Sequence, residues 1–379
     1  MALLTFLSLW IPPTVMAADG LLAGAARVDI TPPVGFRKGG GYNEIISTGI
    51  HDRLFAKSLT LKQGNISAAI VISDLLSVPA ELSEQARQQI GEKTGIPVSN
   101  IIIDIVRPAK QVDTDLPFLV LRRAEGTRTP LASLTVFAMH TAVFGGTEFD
   151  ADFPARLQQR FSEAFGDGFL SVFGEGTAGD VNHVDVTDRH SRSSLEEVLR
   201  IGDSLAKTIL TRQADAVPVQ VPDLAVQSEI VLAPFEPVSE GRYAEARLLI
   251  VQQKERRVPF LTLVECWRDC HRHHHTQRYG KAKPLEVQAI RLNRDTAIVT
   301  LPHEVFVEIG IAIKSASPFR NTIVMSLAND VDYYIPTRRA FEEGSYEVST
   351  CPLDPGCGEL LTTTAIRLLE RLKLSAKMK

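Results

Sequence analysis

An imidazole, a carboxylate and several phenols stand at points in this sequence where one element stops and another starts. His140 closes the apolar run Leu131–Met139. Glu304 follows Pro302 and His303 at the mouth of an apolar, helix-like run, where a proline loses nothing because its missing N–H would have no partner. Tyr333, Tyr334 and Tyr346 lie in the polar stretch after the buried-type strand Thr322–Ala328. Singly, each has an ordinary use. A histidine at a strand end hydrogen-bonds its surroundings, a glutamate in a first helical turn offsets the helix dipole, and loop tyrosines pack. Together they form a histidine–carboxylate–phenol set suited to a hard or borderline cation such as zinc, or to polarising a carbonyl.

Two further stretches invite chemistry. The run Gly174–Val181 (GEGTAGDV) is glycine-rich and follows a strand, so its N–H groups could cradle an anion. It has neither nucleotide-loop spacing nor a G-x-S-x-G elbow, which argues against a nucleotide site and an ordinary serine hydrolase. The run CWRDCHRHHH holds Cys266, Cys270, His271, His273, His274 and His275. Adjacent histidines on a helix point in different directions, so it reads as a basic, solvated helix face, with adventitious zinc binding as the alternative.

These groups need a scaffold to bring them together. Ala68–Leu76 and Asn100–Ile105 are apolar runs of the kind buried on both faces, and the amphipathic helix Glu81–Lys93 lies between them. That order predicts a right-handed βαβ unit. Phe118–Arg122 and Leu131–Met139 read as a hairpin, and the helix Phe153–Phe165 leads to the strand Phe169–Phe173, which delivers the glycine-rich loop. Ser194 and Glu197 form a capping box for a helix reaching about Gln213. Tyr243–Lys254, Leu261–His274 and the closing Gly358–Leu374 read as helices, and Glu286–Leu292 and Thr296–Leu301 as strands. The expected fold is α/β: a single domain over residues 22–374 with a mostly parallel or mixed central sheet flanked by helices.

The chain has 379 residues, 44% hydrophobic and 23% charged, with a net charge of -4. That is the balance of a globular protein with no basic face for nucleic acid. Residues 1–19 carry an apolar run, a Pro-Pro break and Val15-Met16-Ala17, which predicts a signal peptide and a secreted or periplasmic protein; without a working signal it would be cytoplasmic. No stretch reaches transmembrane length. Cys351 and Cys357 flank a turn and could pair in an oxidising compartment or stay as thiols.

In order along the chain, AGAARVDITPPVG, STGIHDRLFAKSL, AAIVISDLLSV, LTVFAMHT, DADFPARL, GTAGDVN, LPHEVFVEIG and LANDVDYYIPTRRAFEEGSYEV resemble the neutral/alkaline non-lysosomal ceramidase family, in its short bacterial form without the C-terminal immunoglobulin-like domain. The resemblance covers roughly residues 22–372. It implies a zinc amidase that cleaves the N-acyl bond of a ceramide-like lipid into fatty acid and sphingoid base. The family's zinc ligands fall on His140, Glu304 and Tyr334, and its oxyanion-steadying tyrosine falls on Tyr346. Glu175, Asp180 and His51 are candidate proton carriers.

The sequence departs from the family twice. Where the first zinc histidine is expected, the chain reads Val106 to Val112, as if a segment were deleted near 106–113, so Arg107 or Lys110 could approach the vacated position. The loop before Gly179-Asp180-Val181 offers Glu175, Gly176 and Thr177 but no catalytic serine. Three ligands remain, enough for a catalytic zinc of reduced affinity. The alternative is a catalytically impaired relative that keeps the fold and binds a lipid or protein partner.

Overall fold

The computed structural model describes residues 15–16, 20–38, 44–75, 78, 80–104, 112–123, 129–183, 194–219, 221–253, 255, 258–344 and 346–377. Most of the expected signal peptide, the stretch 106–111 at the apparent deletion, and Arg107 and Lys110 with it, lie outside the described residues.

The predicted βαβ unit is present. Ile66–Ser73 runs into the helix Ala80–Thr94 and returns as Ile101–Asp104, parallel to the first strand. These two strands, with Leu21–Asp29, Phe55–Gln63 and the short Val15–Met16, make a five-stranded N-terminal sheet. A middle sheet has three strands: Phe118–Arg122 pairs antiparallel with Pro130–Phe137, which is parallel to Leu170–Glu175. A C-terminal sheet has four: Ala225–Pro234, Ala282–Arg291, Thr296–Thr300 and Asn321–Met325, the last two parallel.

The α/β reading holds, but the one central sheet expected from sequence is divided into three that share a core. Leu59 and Ile70 of the first sheet meet Leu134 and Val172 of the second and Ile298 and Met325 of the third. Each such side chain gains about 1.5–3 kcal/mol on leaving water, which is why strands this apolar must face one another.

Helices cover the outer faces by the same logic. Asp152–Phe165 places Phe153, Leu157 and Phe161 at every fourth position, all fully buried against Val198, Ile201, Leu205 and Ile209 of Leu195–Arg212. Ser194 caps that second helix through a hydrogen bond from the Glu197 amide, as its spacing predicts. The closing helix Cys357–Lys377 packs Leu361, Leu368 and Leu372 on the C-terminal sheet. Cys351 and Cys357 are buried free thiols, so of the two readings the thiol one stands. No helix among the described residues is long and apolar enough to cross a membrane.

Candidate functional site

Two parallel strand pairs, one in the middle sheet and one in the C-terminal sheet, end side by side. The Ser326 amide donates to the Glu175 carbonyl at 3.0 Å, and the Ser326 hydroxyl donates to the Gly176 carbonyl at 2.7 Å. The carboxyl ends of parallel strands are where open α/β folds place ligands. Here they carry His140 and Glu175 from one sheet, and the segments 301–306 and 326–335 from the other.

His140 and Glu175 are both buried, with His140 Nδ1 3.8 Å from Glu175 Oε1. The strand register explains their meeting. Glu175 is the parallel partner of Phe137, and the Gly176 amide bonds the Phe137 carbonyl, so the two chains leave their strands together.

Glu304 and Tyr334 come together by a separate device. Glu304–Val305 and Tyr334–Ile335 form a two-stranded parallel ribbon in which Glu304 is the direct partner of Tyr334. Successive residues of a strand alternate sides, so these two project from one face while Val305 and Ile335 bury themselves in the core. Tyr346 meets the Tyr334 ring edge-on at 6.0 Å. The expectation that Glu304 opens a helix is therefore corrected. The helix begins at Val307, and its free amide is taken by Asp180 Oδ1 at 2.9 Å. His303, with a φ of 62°, turns the chain out of line before any helical turn can form at Glu304.

The glycine-rich loop joins the two devices. Its start holds Glu175 beside His140, and its end lies along the ribbon, where the Gly179 amide bonds the Val305 carbonyl at 2.8 Å. A Cβ on Gly179 would overlap the Glu304 carbonyl, so the close approach requires glycine. Thr177 packs on Gly310 of the helix 307–316 in the same way.

Behind the ribbon lies a buried polar group that the sequence did not announce. His303 stacks on Tyr333 at 4.0 Å. Lys283 Nζ lies 2.7 Å from Asp330 Oδ2 and 4.9 Å over the Tyr333 ring, and His303 Nε2 lies 3.4 Å from the same Asp330 oxygen. His303 Nδ1 accepts from the Asp332 amide at 3.3 Å, which puts the neutral ring's proton on Nε2, facing Asp330. Burial first, and the Lys283 charge second, push His303 well below the ordinary histidine range. The same two causes lower His271 to about 4 and His275 to about 2.

The helix Phe260–Tyr279 therefore does not present a solvated basic face. His271 and His275 face the Tyr333 ring, at 6.3 and 5.7 Å, behind the ribbon, while His273, on the opposite side of the helix, is buried by stacking on Tyr243 of the helix Glu240–Gln252 at 3.8 Å. Leu327 and Asn329 share a positive φ with His303, at 62° and 68°. Strained backbone of this kind costs about 1–3 kcal/mol per residue and is kept where geometry must be fixed.

His51 lies in a third place, with its Nδ1 3.2 Å from Asp52 Oδ2 and 3.1 Å from Asp150 Oδ2. These three residues form a group able to hold a metal ion. The hydrogen bond to Asp52 raises the His51 pKa, and burial raises that of Asp150.

Of the predicted site residues, the structure pairs His140 with Glu175, Glu304 with Tyr334, and Tyr334 with Tyr346, and sets Asp180 at a helix start. Sequence reasoning missed His303, Asp330, Lys283 and Asp150. The one available signal was polar residues embedded in apolar strand ends, as in LANDVDYY.

A scan against known family models finds no match. A search of characterised proteins also finds none. Among solved structures, the neutral ceramidase from Pseudomonas aeruginosa is similar at 13% identity and a TM-score of 0.71, over 95% of this chain and 75% of that one. A ceramidase complexed with C2 is similar at 13% identity and a TM-score of 0.69, over 94% and 76%. The chain has a neutral ceramidase-like fold.

Proposed function

We propose that this chain, built on a neutral ceramidase-like fold, hydrolyses the N-acyl amide bond of a ceramide-like lipid, using zinc held by His140, Glu304 and Tyr334. The observation that carries the reading is the register of the parallel ribbon, which pairs buried Glu304 with buried Tyr334, whose ring meets a second phenol, Tyr346, edge-on. The loop 174–181 ties that ribbon to the strand end bearing Glu175 and His140. One nitrogen and two oxygen donors, all on buried residues, suit a borderline cation.

Zinc, when bound, supplies a Lewis acid that polarises the amide carbonyl and makes a water acidic at neutral pH. The chain's own residues do the rest. Glu175, held beside His140, accepts the water's proton and passes it to the leaving amine. The Tyr346 hydroxyl donates to the carbonyl oxygen as negative charge develops there. Asp180 fixes the start of the helix 307–316 and, through the adjacent Gly179, the distance between loop and ribbon.

The test is release of fatty acid from a fluorogenic N-acylsphingosine by full-length protein supplied with zinc. Glu304→Gln should lower the rate by about 10²-fold or more. Tyr346→Phe should lower it by about 10²–10³-fold, as loss of an oxyanion donor does. A folded, zinc-supplied protein that releases no fatty acid would sink the reading and leave the impaired relative in its place.

A further inference from the structure

We propose that His51, Asp52 and Asp150 form a second cation site, for a first-row divalent ion such as Zn2+ or Mn2+, separate from the His140–Glu304–Tyr334 set and independent of the hydrolase reading.

The donor spacing comes first. His51 Nδ1 is 3.2 Å from Asp52 Oδ2 and 3.1 Å from Asp150 Oδ2, and the three donor atoms all lie within 4.8 Å of one another. Ligands about 2.0–2.2 Å from one ion are separated from each other by roughly 3.0–3.5 Å, so little movement is needed to close on a cation.

The second observation is Asp150 itself. Its side chain is only 7% exposed and its Oδ2 receives no hydrogen bond, although it faces the His51 ring. Oδ1 accepts from the Asp152 amide at 2.6 Å, which orients the carboxylate and leaves the other oxygen aimed into the group. A buried carboxylate oxygen without a donor is costly, and a bound cation relieves that cost.

The scaffold is pre-set. The His51 and Asp52 amides both donate to the Phe149 carbonyl, at 2.8 and 3.1 Å, and Gly49–Ile50 runs parallel to Glu148–Phe149. The two segments that supply ligands are thus locked together before any ion arrives. His51 is one-third exposed, which leaves an entry and room for waters to complete the coordination. One imidazole nitrogen and two carboxylate oxygens favour zinc or manganese over calcium, whose sites are built from oxygen alone.

Glu148 adds negative charge near His51. The Lys38 ammonium is occupied by the Gly146 and Glu148 carbonyls, at 3.0 and 2.6 Å. The hydrogen bond to Asp52 favours the charged form of the His51 imidazole. The ion would displace its Nδ1 proton. Because Asp152 accepts the Val143 and Phe144 amides, the site would also anchor the loop that follows His140.

Cobalt alone serves as the visible probe, titrated into full-length wild-type, Glu304→Gln and Asp150→Asn proteins and followed by d–d absorption and equilibrium dialysis. Glu304→Gln should still bind one equivalent. Asp150→Asn should lose that equivalent or bind it about tenfold or more weakly. Should Asp150→Asn fold poorly by circular dichroism, His51→Gln carries the same test at a partly exposed position. Wild-type stoichiometry and affinity in both Asp150→Asn and His51→Gln, or no cobalt on Glu304→Gln, would overturn the proposal. Either result leaves the fatty-acid assay untouched, so the two readings fail separately.

Discussion

His51 and His303 each face an aspartate oxygen at close range, 3.1 Å for Asp150 and 3.4 Å for Asp330, yet their surroundings drive them in opposite directions. His51 is partly open to water, hydrogen-bonded to Asp52 and surrounded by carboxylates, so its positive form is favoured. His303 is sealed from water, and the charge that answers Asp330 is supplied by Lys283, so the imidazole stays neutral. The residue types are the same. Burial and the presence of a dedicated ammonium decide which group carries the charge.

The sharpest way to break this comparison is at Lys283. Lys283→Met leaves Asp330 buried without its cation and should cost about 3–5 kcal/mol, measured by urea unfolding at neutral pH. A cost below about 1 kcal/mol would mean that Asp330 does not depend on Lys283, and the contrast would collapse.

Next in size is the pH dependence. His271, His275 and His303 have folded pKa values below 6.5, so as pH falls from about 6.5 to 4 the unfolded chain takes up protons that the folded one refuses, and stability falls. Burial raises Asp152 and Asp332 to about 6, which works the other way over the same range. With His183 also lowered by burial and Asp150 also raised by it, four imidazoles oppose three carboxyls, leaving a net loss of about 1 kcal/mol per pH unit. His51 contributes nothing to this window. Its raised pKa stabilises the fold below 6.5, and that benefit fades only as pH rises through the folded value. Unfolding midpoints that stay level between pH 6.5 and 4 would show that the imidazoles behind the ribbon are not neutral.

The smallest effect is expected at the exposed member of the pair. His51→Gln should change metal-free stability by less than about 1 kcal/mol, because a partly solvated ion pair is worth little. A thermal melt without added metal checks this.

The difference between the two clusters also marks what the sequence could reveal. Strands and helices with a clear period were legible: Phe118–Arg122 has the predicted bounds, and the helices 80–94, 152–165 and 195–212 lie within a residue or two of them. His140, Glu304, Tyr334 and Tyr346 could be chosen because they interrupt apolar runs. The division into three sheets was not legible, since apolar strands look alike whichever sheet they join. The helix expected at Glu304 failed because Pro302 and an apolar run fit a helix start equally well when the backbone turn at His303 is unseen. Lys283 and Asp330 were missed because a charged residue reads as a surface residue until its partner is known.

The bond from the Ser326 amide to the Glu175 carbonyl spans the seam between two sheets. One sheet delivers His140 and Glu175, the strands of the other lead into the ribbon that carries Glu304 and Tyr334, and neither half of the proposed reaction centre is complete alone. Anything that parts the sheets separates imidazole from ribbon at one stroke, so a loosened molecule would have no partial competence to fall back on. Chemistry and architecture here stand or fall as one cooperative unit.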